Sequence, residues 1–203
     1  VGRVLEVEPD QLGNRLNDGF VDPSGALWFG TMDNAETAPT GSLYRWRAGQ
    51  PLQRQDEGYI ITNGPAMSPD ARTLYHTDTM ARRTYAFDVD DDGSLANKRL
   101  FVETASGYPD GMAVDAEGFL SIAVWDGWRI DRYDPVGRLE RSIAFPCANV
   151  TKLAFGGDDL RTMYVTTARK GLSPQALAAQ PLAGGLFAVE SPARGLPAAL
   201  LAV

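Results

Sequence analysis

The chain repeats itself at long range. Asn17-Asp18-Gly19, Asn63-Gly64 and Asp110-Gly111 follow one another after 46 and then 47 residues. Each stands ahead of an apolar, strand-like stretch: Phe20-Val21, Pro65-Ala66-Met67 and Met112-Ala113-Val114. Taken singly, an amide or acid next to glycine is a good turn former. At one phase of a repeat the three imply more, because equivalent positions of a radially repeated fold meet around a common axis. Asn17, Asn63 and Asp110 are therefore expected to converge and to offer side-chain oxygens to one point.

Between these turns the chain reads as strands. Val21-Asp22-Pro23-Ser24-Gly25-Ala26-Leu27-Trp28-Phe29-Gly30 is an apolar strand end, a tight turn and a second strand. Met67 to His76 and Val114 to Ile122 repeat the pattern, and Phe155 to Tyr164 repeats it more loosely. Trp28, Tyr75, Ser121 and Tyr164 fall at one repeat position. A third strand is expected at Gly41–Trp46, Arg83–Phe87, Trp128–Tyr133 and Gly185–Val189, each alternating apolar and polar residues. An outer strand fits Pro51–Arg54, Asn97–Val102 and Leu139–Ile143, and one short helix fits Ser173–Ala179 between Gly171 and Pro181. Four strands in roughly 45 residues is the size of a propeller blade. A sandwich with regular hairpins is the competing architecture, but this period is too long for simple hairpins. The expected fold is all-β: residues 1–203 form a single domain of about four to five four-stranded blades. Because propellers close on themselves, the expected chain lacks N-terminal blades, and such a fragment is expected to be inactive and poorly stable.

Composition narrows the partners. A net charge of −7 argues against nucleic acid or anionic lipid, and no apolar run approaches the roughly 18 residues of a membrane span. Cys147 is the only cysteine and reads as a buried, inert thiol. A cytoplasmic location is the expectation, and the oligomeric state is left open. A serine–histidine hydrolase is disfavoured, because His76 is the one histidine and no Gly-x-Ser-x-Gly elbow occurs. His76, mid-strand, reads as a packing residue. There is no phosphate loop and no Cys/His zinc spacing. Asp88-Val89-Asp90-Asp91-Asp92-Gly93 imitates the opening of a calcium loop, but Arg99 stands where the bidentate Glu is needed, so it reads as a hairpin turn.

The oxygens of Asn17, Asn63 and Asp110 suit Ca²⁺, Mg²⁺ or Mn²⁺. Arg15, two residues before Asn17, is expected on the same strand face, where it could hold sugar hydroxyls or a developing oxyanion.

Several stretches together resemble the regucalcin, gluconolactonase and sugar-lactone hydrolase family of six-bladed propellers, within it most of all the bacterial pentonolactonases of the xylonolactonase kind. They include Asn14–Gly19, Leu27–Met32, Gly41–Arg45, Ile61–Pro65, Tyr75–Thr79, Tyr108–Gly111, Asn149–Lys152 and Thr166–Leu172. The resemblance implies one divalent cation (Ca, Zn, Mg, Mn or Fe(II)) held by a Glu, an Asn and an Asp, of which Asn63 and Asp110 match the last two. The family's Glu lies in a Gly-Glu-Gly-Pro motif absent from this sequence. Arg15 and Asn17 match substrate-binding residues, and Glu36 corresponds to a further family acid in an uncertain register around Asp33. The implied activity is metal-assisted opening of an aldonolactone, such as xylonolactone or arabinonolactone, to its acid. In it the cation polarises the carbonyl and Asp110 is the general base. Trp125 and Trp128 are expected to wall the mouth. Two other functions fit the scaffold: a non-catalytic calcium- or protein-binding propeller, and a phosphotriesterase-like hydrolase.

Overall fold

The computed structural model describes residues 5–202. Among them fifteen strands and one helix form four sheets set in chain order, the blades of a β-propeller. The first blade holds β1 (Asn14–Val21), β2 (Leu27–Asp33), β3 (Gly41–Trp46) and β4 (Gln53–Tyr59). The second holds β5 (Thr62–Met67), β6 (Thr73–Asp78), β7 (Arg83–Val89) and β8 (Leu95–Glu103). β9 (Tyr108–Val114), β10 (Leu120–Trp125), β11 (Arg129–Tyr133) and β12 (Leu139–Ala144) make the third. The fourth has three strands, β13 (Val150–Gly156), β14 (Thr162–Thr167) and β15 (Leu186–Glu190), with α1 (Pro174–Ala179) between the last two. Every pairing is antiparallel and sequential, and β1, β5, β9 and β13 pack side by side as the innermost strands.

Alternation of side chains explains the packing. Trp28 and Leu43 face the second blade and meet Met67, Leu74 and Phe87. Tyr75, Ala86 and Val102 meet Met112, Val114, Leu120 and Ile122 of the third. Ala123 and Ile130 meet Leu153, Met163 and Val165 of the fourth. Turn chemistry closes the hairpins: Asp22 accepts from Ser24 N, Ala26 N and the Trp28 indole, and Asp115 does the same for Glu117 N and Phe119 N. Asp90 to Ser94 is likewise a hairpin turn between β7 and β8. Cys147 is buried and free. Among the described residues no helix is long and apolar enough to cross a membrane.

Two expectations about the fold are corrected. The acidic-amide motifs do not separate strands; they lie inside them as bulges. Leu16 pairs Thr31 and Gly19 pairs Phe29, so one extra residue is inserted at Asn17-Asp18. The same insertion occurs between Asn63 and Ala66, between Pro109 and Met112, and between Val150 and Lys152. Bulges and edge strands tolerate proline, which is why Pro65 and Pro109 sit in innermost strands. The second correction concerns blade size. The described residues form four blades, within the expected four to five, but the last has three strands, lacking an outer one. Residues after β15 include Pro192 and Pro197, which have no N–H to give a ladder. They run instead along the hairpin-turn end of the molecule, where Gly195 N meets Leu160 O and Ala202 N meets Gly25 O. A smaller shift is at Trp128, which precedes β11 with φ 59° in the turn.

Candidate functional site

At the end of the ring where the innermost strands begin lies a cavity of about 430 Å³. The bulges put it there. Each inserts a residue into an innermost strand, twisting it and re-aiming the side chains beside it. Arg15 and Asn17 of β1, Asn63 of β5 and Asp110 of β9 all line the cavity. The structure thus brings residues of β1, β5 and β9 to one cavity.

The hydrogen bonds refine how they meet. Asn63, which is buried, gives its amide Nδ2 to Thr79 Oγ1 at 2.8 Å, and that hydroxyl donates to Pro109 O at 2.8 Å. Thr79 thereby ties Asn63 to the residue before Asp110 and fixes which side-chain atom of Asn63 is left for the cavity. Asn17 departs from expectation. Its oxygen accepts from Arg15 Nη1 at 2.9 Å, while its Nδ2 donates to Thr62 O at 2.7 Å and to Asn63 Oδ1 at 3.1 Å. Its oxygen therefore turns to Arg15 rather than to a point shared with Asn63 and Asp110.

Asp110 is the unusual acid. Burial, reinforced by the negative charge of Asp18, pushes its carboxyl up to about 7. The Gly111 N–H and the Lys152 cation act in the opposite sense. A carboxylate with that pKa at the base of a cavity is poised to exchange a proton near neutrality.

In the β2–β3 loop the Asp33 carboxylate accepts from Ala35 N, Thr37 N and Ala38 N and is held down at about 2. With Asp33 spent on its own loop, Glu36 is the acid at the cavity, and it forms an ion pair with Lys170 from the loop after β14. Met32, Ile61, Met80 and Trp125 supply apolar wall. Trp128, expected beside Trp125, does not line the cavity, because its left-handed turn sends it to the surface at 44% exposure. His76 is fully buried, edge-on to Tyr59 at 4.8 Å, and far from any role here.

The donors fit a hard cation in kind, being the Asp110 carboxylate and the Asn63 carbonyl oxygen, with no sulfur or imidazole. Among the described residues no group of three His, Cys, Asp or Glu could hold a metal. Asn63 and Asp110 alone could supply only part of a coordination sphere.

Four site residues escaped the sequence: Asp18, Thr79, Lys152 and Lys170. Lys152 had a signal, since it stands at the bulge of the fourth innermost strand, in the same phase as Asp110-Gly111. A search for amide or acid next to glycine passes over it.

Residues 2–169 match the family described as the SMP-30/Gluconolactonase/LRE-like region. The chain is 39% identical over 202 residues to regucalcin of Sus scrofa, covering 94% of this chain and 67% of that one. It is 38% identical over 178 residues to a 6-deoxy-6-sulfogluconolactonase of Pseudomonas putida, covering 86% of this chain and 61% of the relative. Among solved structures, a calcium-binding protein, regucalcin, from Agrobacterium tumefaciens superimposes with a TM-score of 0.92 at 33% identity, covering 98% of this chain and 68% of that one. The chain thus spans about two thirds of the length of these relatives.

Proposed function

The chain belongs to the SMP-30/gluconolactonase/LRE-like family, and from that premise we propose that it hydrolyses a sugar lactone in the cavity between its innermost strands. A pentonolactone, such as xylonolactone or arabinonolactone, is the proposed substrate, and the aldonic acid is the product. The observation that carries the proposal is Asp110. Its carboxyl is raised to about 7 in a cavity it shares with Asn63, Asn17 and Arg15.

Arg15 and Asn17 hold the sugar hydroxyls, the guanidinium as donor and the carboxamide oxygen as acceptor. The apolar wall of Met32, Ile61, Met80 and Trp125 takes the ring carbons and limits water to the attacking molecule. Asp110 accepts a proton as water adds to the carbonyl carbon. When the ring C–O bond breaks, Asp110 returns that proton to the departing ring oxygen, leaving a hydroxyl and a carboxylic acid, which releases its remaining proton to water as the carboxylate. Asn63 and Asp110 would hold a divalent cation, which when bound supplies Lewis-acid polarisation of the lactone carbonyl. Glu36, which lines the cavity and pairs with Lys170, accepts from a distal hydroxyl.

The test is lactone opening followed by acid release. Asp110→Asn is expected to lower kcat at least a hundredfold, whereas Arg15→Met raises KM. Undiminished turnover by Asp110→Asn would defeat the mechanism. A panel of pentonolactones and organophosphates separates this activity from phosphotriester hydrolysis. A second function, cation binding without catalysis, is favoured by the description of the Agrobacterium relative as a calcium-binding protein. It predicts melting that responds to Ca²⁺ and not to lactone.

A further inference from the structure

Next to the cavity residue Asp110 runs an ion pair that joins two blades. Lys152, on β13 of the fourth blade, reaches Asp18 on β1 of the first, with Nζ 2.7 Å from Oδ2. These strands belong to separate sheets that are not consecutive in the ring, so the pair spans the axis. Gly111 determines its route. A Cβ there would stand 2.2 Å from Lys152 Cδ, so the lysine stem lies against the residue that follows Asp110. Asp18 Oδ2 also accepts the N–H of Gly64, next to Asn63, at 3.1 Å. The Lys152 charge acts on Asp110 as well, yet its hydrogen bond goes to Asp18.

Building on the cation-assisted lactonase proposed above, we propose that Asp18 parks the Lys152 ammonium away from Asp110 and Asn63, and that this ion pair sets how tightly the site takes a divalent cation. Both are positioning residues, not ligands. The charges dictate opposite effects for the two partners. Removing Lys152 takes a positive charge from beside an incoming cation and leaves the Asp18 carboxylate. Removing the Asp18 charge frees an ammonium, on a flexible stem already lying over Gly111, to turn to Asp110 and compete. A tie that merely joined two blades would make both losses weaken binding.

Titration calorimetry of the metal-free protein with Ca²⁺ and with Mn²⁺, alongside melting temperatures, decides the matter. Asp18→Asn is expected to weaken affinity about tenfold, Lys152→Met to strengthen it about threefold or more, and the double variant to return within about threefold of wild type, as fits a single nearby charge in a partly screened site. Lys152→Arg keeps the charge and the wild-type affinity. Weaker binding by Lys152→Met, or a double variant as weak as Asp18→Asn, overturns the inference. Should Asp18→Asn fail to fold, the sign of the Lys152→Met change still decides. A wild type that binds neither ion removes the cation from the proposed function and this inference with it. A wild type that binds, with both single variants weaker, removes this inference alone.

Discussion

The two end blades have equivalent frameworks and opposite fates. In the first, both faces of the sheet are covered. Trp28 is fully buried against the second blade, while Phe29, Tyr44 and Trp46 are sealed on the other face by Leu5, Val7 and Leu201. In the fourth, one face packs on the third blade through Leu153, Met163 and Val165, and the other faces water, with Tyr164 at 43% and Leu186 at 67% exposure. Trp28 and Tyr164 occupy the same position of the repeat. The residue type at such a position records the strand's alternation, whereas its burial depends on whether another layer lies against it.

The sharpest way to break this contrast is to truncate both members. Trp28→Ala is expected to cost about 3–5 kcal/mol in chemical denaturation, the usual range for a buried aromatic. Tyr164→Ala, on the open face, is expected to stay within about 0.5 kcal/mol; a loss near that of Trp28 would show the face to be covered in solution. Placing a charge under the first blade's cover comes next. Val7→Asp is expected to lower stability by about 1–3 kcal/mol, since the half-buried Val7 packs on the Phe29–Tyr44–Trp46 cluster.

A smaller, pH-dependent effect belongs to the seam between the first and second blades, which the fourth blade has no counterpart to on its open side. His76 is buried there with both ring nitrogens unpartnered, and burial holds its pKa down at about 3. Because the folded pKa lies below the unfolded value of about 6.5, its contribution is fully present above pH 6.5 and is lost as pH falls toward 3. His76→Leu is therefore expected to flatten the acid side of the stability curve and to leave stability at pH 8 unchanged or raised by about 1 kcal/mol, there being no hydrogen bond to lose. An unaltered acid limb would show that other groups govern it. Smallest of all is Leu186→Thr, expected within about 0.5 kcal/mol of wild type, with less self-association in light scattering as its sign.

Much of the fold was legible because strand alternation and turn chemistry are local. Leu27 to Gly30, Gly41 to Trp46 and the helix before Ala179 fall close to where the residues place them. The size of the last blade was harder, since whether the residues after β15 pair with a sheet is decided by tertiary contacts and by Pro192 and Pro197. At the site, the repeat phase located Asn17, Asn63 and Asp110, but an orientation depends on partners remote in sequence. The amide of Asn17 turns because Thr62 O and Arg15 lie on either side of it. Thr79 and Lys152 lie on other strands and loops, and a search for an amide or acid next to glycine does not mark them.

The bulge carried by each innermost strand has a consequence for how this protein can change over generations. Strand side chains switch faces with every residue, so deleting one residue at Asn17-Asp18 would restore a regular ladder. It would also turn Arg15 from the cavity into the sheet packing. Lineages descending from this chain can swap the side chains at these positions freely, but insertions and deletions there should be purged, and length variation should gather in the hairpin turns at the far end.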